Sequence, residues 1–224
     1  MKANNHTDNR KKNRLKKAKR NRRIALFKRF TFLALLALVI VFTVKVLHNK
    51  GIIRNFDLNK LSDAKVPDYV DVQIIDIDGS SRRGVKLDGF NDIVIHYVGN
   101  PGSSAQGNHD YYTNPDSGVS SHFVVGLDGE IIQCIPLDEK SSASNDRNHD
   151  TISIEVCHPD ESGRFNSATY ASVIKLTAWL LDLGDLKESH IIRHYDITGK
   201  ICPKYYVEHP DAWELLKQDV KNCR

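Results

Sequence analysis

The sequence predicts an α/β domain, a single mixed β-sheet flanked by helices, preceded by one transmembrane helix. Three observations predict it. Beyond residue 70, short β-branched runs of period two are interleaved with stretches of helical period, the combination that packs helices onto a sheet. Phe30 to Val44 (FTFLALLALVIVFTV) runs 15 residues without a charge. Charge is also segregated, because residues 1 to 29 hold 13 Lys/Arg and one Asp while the remainder holds 19 Lys/Arg and 27 Asp/Glu. With 224 residues, 40% hydrophobic and 27% charged, the composition excludes wholesale disorder, collagen-like repeats and a multi-span membrane protein. Four cysteines are too few for a disulfide scaffold in a chain of this length.

From Arg10 to Arg29 the chain is mostly Lys, Arg and Asn with little to bury, so a disordered basic arm is expected over residues 1–29. Taken alone it reads as a nucleic-acid arm. The apolar run that follows decides against that, and no nucleic-acid partner is expected. Extended over residues 30–47, with Lys45 snorkelling, the run covers about 27 Å at about 1.5 Å per residue, close to a bilayer core of about 30 Å. A cleavable signal peptide is the competitor. The 29-residue flank is long for that role and KVLHNKGIIRN shows no small-x-small site, so an uncleaved signal anchor is expected. The excess of positive charge then stays cytoplasmic, making this a single-pass membrane protein with its domain outside. Residues 48–69, containing Gly51 and Pro67 without clear period, read as a stalk, and residues 70–224 as the folded domain.

Within that domain Val70–Ile77, Asp92–Tyr97, His122–Leu127, Glu130–Ile135 and Thr151–Cys157 read as strands. Asp128-Gly129 predicts a two-residue hairpin turn. Ser167–Leu183 changes to helical period, with Asn166 or Ser167 as N-cap and Gly184 just past the end. Ile191-Ile192 suggests a short strand, and Pro210–Val220 a closing helix with Trp213 and Leu216 inward.

His96 ends the apolar strand DIVIHY, where a side chain can point into a cleft at the sheet edge, and His194 likewise ends HIIRH. Cys202 follows eight residues later, held extended by Pro203. Two imidazoles and a thiolate satisfy a catalytic zinc, which needs three protein ligands and one open position. Spacing alone favours Cys202 as a buried thiol or a disulfide partner of Cys223 over a zinc ligand. His190 is four residues from His194, about 13 Å along a strand and too far to share a metal, so a structural role is expected. In ISIEV, alternation turns Ile152, Ile154 and Val156 one way and Ser153, Glu155 and Cys157 the other. Glu155 is therefore either a surface carboxylate or a general base facing a polar cleft. Lys200 is either an exposed loop lysine or a cation placed to steady an oxyanion.

HYVGN around His96, SSHFVVGLDGEIIQCIPL from Ser120, DTISIEVCHPD around Glu155 and IIRHYDITGKICPKY from Ile191 together resemble the zinc-dependent N-acetylmuramoyl-L-alanine amidases. That family shares its fold with the phage lysozyme-amidase and the peptidoglycan recognition proteins. The resemblance covers roughly residues 88 to 220, in order. It implies one Zn²⁺ on His96, His194 and Cys202, with Glu155 and Lys200 catalytic and His122 touching substrate. The implied reaction is hydrolysis of the amide between the lactyl group of N-acetylmuramic acid and the L-alanine of the stem peptide, with peptidoglycan or muropeptides as partner. The chain departs from the family at Ser121, where relatives often carry Tyr or Trp, and in KSSASND, which lacks a Trp-His pair common in endolysins. The alternative reading is a membrane-anchored peptidoglycan-binding sensor that has lost catalysis. Such binders commonly lack the third ligand, here Cys202. Cys134 and Cys157, on successive predicted strands, are candidates for a disulfide.

Overall fold

The computed structural model describes residues 3–49, 56–77 and 79–224, and the chain divides into two compact units, Met1–Arg54 and Asn55–Arg224. The first holds one long helix, α1 (Ala3–Asn49). The arm expected to be disordered is therefore helical. Lys, Arg, Leu and Ala are good helix formers, and no Gly or Pro interrupts residues 1 to 49, so nothing stops the helix of the apolar run from extending upstream. Lys19–Lys45 is long and apolar enough to cross a membrane, and none of it is buried against protein. Phe30, Leu33, Leu38 and Phe42 stand exposed.

The second unit is an α/β domain. It contains α2 (Asn59–Ser62), β1 (Val70–Val72), β2 (Asp92–Ile95), α3 (Ala105–Tyr112), β3 (Phe123–Val125), β4 (Ile131–Gln133), β5 (Thr151–Val156), α4 (Ser167–Gly184), β6 (Ile191–Arg193), α5 (His194–Thr198), α6 (Lys204–Glu208) and α7 (Pro210–Cys223). The strands form one mixed sheet in the order β1-β4-β3-β5-β2-β6, parallel throughout except for the β3–β4 hairpin. Alternation sorts each strand between two faces. Ile93, Ile95, Phe123, Val125, Ile152, Ile154 and Val156 join the main core with Val173, Leu176 and Leu180 of α4 and Trp213 and Leu216 of α7. Val124, Ile132, Cys134 and Cys157 form a smaller cluster on the other face with Ala105 and Tyr112 of α3.

The domain begins earlier than the stalk reading allows. Leu61 is 2% exposed, and Phe56, Leu58, Ala64, Val66 and Tyr69 pack against the main core. Phe56 meets Phe90 edge-on at 5.7 Å and the Lys175 ammonium caps the Tyr69 ring at 3.7 Å. Apart from Leu61 in the single turn of α2, these apolar residues wrap a surface rather than line a helix or strand, so no period marks them.

Strand β1 is shorter than the expected Val70–Ile77, although Gln73 and Ile75 continue to donate backbone bonds to Gln133 and Cys134. The hairpin loop has three residues, Leu127 to Gly129, closed by Gly126 N–H to Glu130 O at 2.8 Å, rather than the expected two. Gly129 sits at φ +85° with α4 directly above it, so a side chain there would be both strained and crowded. At the end of α4 the left-handed residue is Asp185, not Gly184. A side chain at Gly184 would meet the Phe90 ring, so this glycine permits close approach rather than chain reversal. α3, which carries a Gly and no apolar period, went unsignalled except by Ser104, whose hydroxyl caps it through Gly107 N–H at 3.0 Å.

Cys134 and Cys157 are both free and buried. They flank β3 on its two sides, Cys134 level with His122 and Cys157 level with Gly126, so about two strand spacings (roughly 10 Å) across the sheet and four residues (about 13 Å) along it separate them, beyond the reach of a disulfide. Cys202 and Cys223 are also unpaired.

Candidate active site

Three parallel strands, β5, β2 and β6, lie side by side; β2 and β6 end at the same level and β5 runs two residues further. Ile95 pairs with Ile154 on one side and with Arg193 on the other, so the next residues along, Glu155, His96 and His194, form a row at the carboxyl ends of the strands. Carboxyl ends of parallel strands are where open α/β sheets present their sites. Alternation points His96 and Glu155 away from the main core, toward the α3 face. His194 opens α5, which is started by the Arg193–Asp196 capping box, with Asp196 accepting from Arg193 N–H at 2.8 Å. Cys202 comes from the loop after α5, held by Tyr195 N–H to Cys202 O at 2.9 Å.

The ligating atoms of His96, His194 and Cys202 lie within 4.8 Å of one another. Cys202 Sγ is 3.9 Å from His96 Nδ1, and the two imidazoles meet edge-on with centroids 4.7 Å apart. Their other nitrogens are already engaged: His96 Nε2 with Ser144 Oγ at 3.3 Å, His194 Nε2 with Asn145 Oδ1 at 2.8 Å. All three side chains are buried. Burial, helped by the other imidazole and by Lys200, holds the His96 pKa well below its ordinary value, and burial with Lys200 lowers that of His194. Both rings are then neutral at pH 7, as metal ligands must be. Burial and the nearby Glu155 push the Cys202 thiol up to about 12, opposed by a hydrogen bond from the Tyr97 backbone and by Lys200. A metal held here by Cys202 would take the thiolate form of that side chain. Two neutral imidazoles, one thiol and enclosed geometry fit a borderline-soft divalent cation with an open fourth position.

Glu155 Oε1 lies 3.8 Å from His96 Nδ1, and its other oxygen is enclosed with no hydrogen-bond partner. Burial lifts its pKa to about 8, with Lys200 pulling the other way. Lys200 is exposed at the mouth of a cleft of about 190 Å³ that also takes in Asn108, Tyr111, Tyr112, Glu155 and His194. A carboxyl group with a pKa of about 8, a cation and one imidazole of the candidate metal cluster thus open onto one cavity, an arrangement compatible with metal-assisted hydrolysis.

The structure brings together five of the six residues singled out from sequence and places the sixth, His122, outside that cluster. His122 is fully buried; its Nδ1 accepts from Ser153 N–H at 3.0 Å and its Nε2 donates to Glu139 O at 2.8 Å. Both of its nitrogens are thus spent inside the protein, where it ties the end of β3 to β5 and to the Glu139 carbonyl. Burial lowers its pKa to about 4. His190 is likewise structural, bonded to Asp92 at 3.0 Å. At the departure from the family pattern, Ser121 is buried, bonded to Phe123 O at 2.7 Å and 3.4 Å from the Tyr112 hydroxyl. The aromatic groups of the cleft come from α3 instead. Sequence reasoning missed Ser144, Asn145 and Tyr112, which sit in segments without period or motif.

A family profile described as N-acetylmuramoyl-L-alanine amidase matches residues 89–205. The N-acetylmuramoyl-L-alanine amidase CwlL of Bacillus licheniformis is 31% identical over 157 residues, covering 62% of this chain and 43% of its own. The N-acetylmuramoyl-L-alanine amidase BlyA of Bacillus subtilis (strain 168) is 30% identical over 168 residues, covering 66% and 45%. The chain therefore spans less than half the length of these curated relatives. Among solved structures, the catalytic domain of XlyA superposes with a TM-score of 0.59 at 27% identity, covering 67% of this chain and 98% of that one. A mutant endolysin from Bacillus subtilis gives 0.59 at 26% identity, covering 67% and 97%. The profile spans both the start of the site at His96 and its end at Cys202, and on that match the chain belongs to the N-acetylmuramoyl-L-alanine amidase family.

Proposed function

We propose that this chain is a zinc-dependent N-acetylmuramoyl-L-alanine amidase that hydrolyses the bond between the lactyl group of N-acetylmuramic acid and the first L-alanine of the stem peptide. The observation that carries it is the row Glu155–His96–His194 closed by Cys202. His96, His194 and Cys202 would hold Zn²⁺, a Lewis acid that lowers the pKa of water toward 7 and polarises a carbonyl. Glu155, with one oxygen unpartnered and a pKa raised by burial to about 8 but pulled down by Lys200, would in its ionised form take the proton of the attacking water and return it to the departing alanine nitrogen. Lys200 places positive charge where the carbonyl oxygen becomes anionic. Tyr111, exposed at the cleft, offers a ring face to the glycan or peptide there. Retention of all five groups argues against the reading as a sensor without catalysis.

Residues 30–47 would anchor the domain to the outer face of a bacterial membrane. Exposed Phe and Leu side chains around α1 support this, since such a surface is unfavourable in water. The test is to incubate the purified chain with defined muropeptides, with and without chelator, and weigh the products. Fragments split at the lactyl–alanine amide, lost on chelation, are expected. Binding without cleavage would favour the sensor.

A further inference from the structure

The two histidines that would hold the metal are both braced from behind by consecutive residues of one loop, Ser144 and Asn145. We propose that Ser144 and Asn145 are positioning residues that select the ring tautomers and so aim both Nδ1 lone pairs at the metal; this rests on the metal site described above. The chemistry is one of donor and acceptor. Asn145 Oδ1 can only accept, so the proton of the neutral His194 ring is held on Nε2 and Nδ1 keeps its lone pair. His96 needs the same tautomer, because its Nδ1 is the atom facing Cys202, and the buried Ser144 hydroxyl takes its Nε2–H.

The loop is built to hold this position. Asn145 adopts φ +51°, a left-handed conformation that non-glycine residues rarely enter and that persists only where the surroundings over-determine it. Here they do. Asn148 Oδ1 accepts from Ala143 N–H at 3.1 Å and Ser144 N–H at 2.6 Å, drawing the loop into a tight turn. Arg147, two residues beyond Asn145, is paired with Asp150 at 2.8 Å and with Asp92 at the start of the histidine's own strand. The brace is thus tied to β2 and β5 and cannot drift from the rings it orients. An outer-shell partner of this kind typically tunes metal affinity by about 10- to 100-fold.

The test uses the full chain in detergent. Asn145→Gly keeps the left-handed backbone and removes the acceptor, while Asn145→Asp keeps both. Zinc affinity is measured by chelator competition, and the cobalt-substituted absorption spectrum reports ligand geometry. Asn145→Gly is expected to weaken zinc by about 10- to 100-fold and alter the cobalt bands, with the melting temperature of the metal-free protein unchanged. Asn145→Asp should bind at least as tightly as the parent, and ¹⁵N spectra of the metal-free parent should show His194 protonated on Nε2. Affinity within twofold in Asn145→Gly, tenfold weakening in Asn145→Asp, or an Nδ1–H tautomer would overturn the positioning role while leaving the metal site standing. A parent that binds neither zinc nor cobalt would overturn both.

Discussion

His96 Nδ1 and Glu155 Oε1 face each other across 3.8 Å, too far for a hydrogen bond and close enough for one small species to touch both. The gap is set by the backbone, because the two residues follow paired positions of adjacent parallel strands and His96 N–H donates to Ile154 O at 2.9 Å. Two side chains held by a sheet ladder, here the proposed base and a proposed metal ligand, cannot separate without breaking the ladder.

The metal prediction concerns Cys202. Cys202→Ala should lose most bound zinc, since two neutral imidazoles lack the anionic donor, whereas Cys202→Asp should keep more. Metal analysis after dialysis checks this, and full occupancy in the alanine variant would remove Cys202 from the site.

For Glu155, the Gln substitution should retain metal and fold while lowering kcat by about 10² to 10⁴, the usual size of a general acid/base contribution. Near-normal turnover on a muropeptide would return Glu155 to an ordinary cleft-lining carboxylate.

His122 predicts a pH dependence. Its folded pKa of about 4 lies below the ordinary 6.5, so the folded state prefers the neutral ring, and this stabilisation is complete above pH 6.5. It is lost as pH falls from 6.5 toward 4, by about 3 kcal/mol at 1.36 kcal/mol per unit. Denaturant unfolding of the metal-free parent and of His122→Gln across that range should show the variant less stable at pH 7 and flatter below 6.5. Parallel curves would mean that His122 does not titrate with unfolding.

The packing of residues 56–69 predicts where the domain can be cut. Leu61→Ala should cost about 2 to 5 kcal/mol, the range for a buried leucine. A chain begun at residue 55 should melt well above one begun at residue 70, which lacks Phe56, Leu58 and Leu61. Equal melting temperatures would restore the stalk reading.

Topology predicts localisation. Residues from 51 onward carry 17 Lys/Arg and 27 Asp/Glu, so charge alone repels this part from anionic wall polymers. Replacing residues 1–47 with a cleavable signal should release the domain to the medium and reduce activity on the wall. Protease added outside intact cells should digest the domain and spare the basic arm; digestion of the arm instead would reverse the orientation.

The sequence by itself determined the local features. Alternation in TISIEV sent Glu155 to the opposite face from Ile154, His96 ended an apolar strand, Pro203 held Cys202 in a loop, and 15 uncharged residues marked the apolar helix. These are properties of neighbours along the chain. Only the tertiary structure decided that β2 lies between β5 and β6, which carries Glu155, His96 and His194 into one row across about a hundred residues of sequence. Alternation tells which face a side chain takes but not which strand lies beside it, because parallel pairing is long-range. The same limit hid the burial of His122, the wrapping of residues 56–69 and the brace from Ser144 and Asn145. Each depends on a partner distant in sequence, and none leaves a period in its own segment.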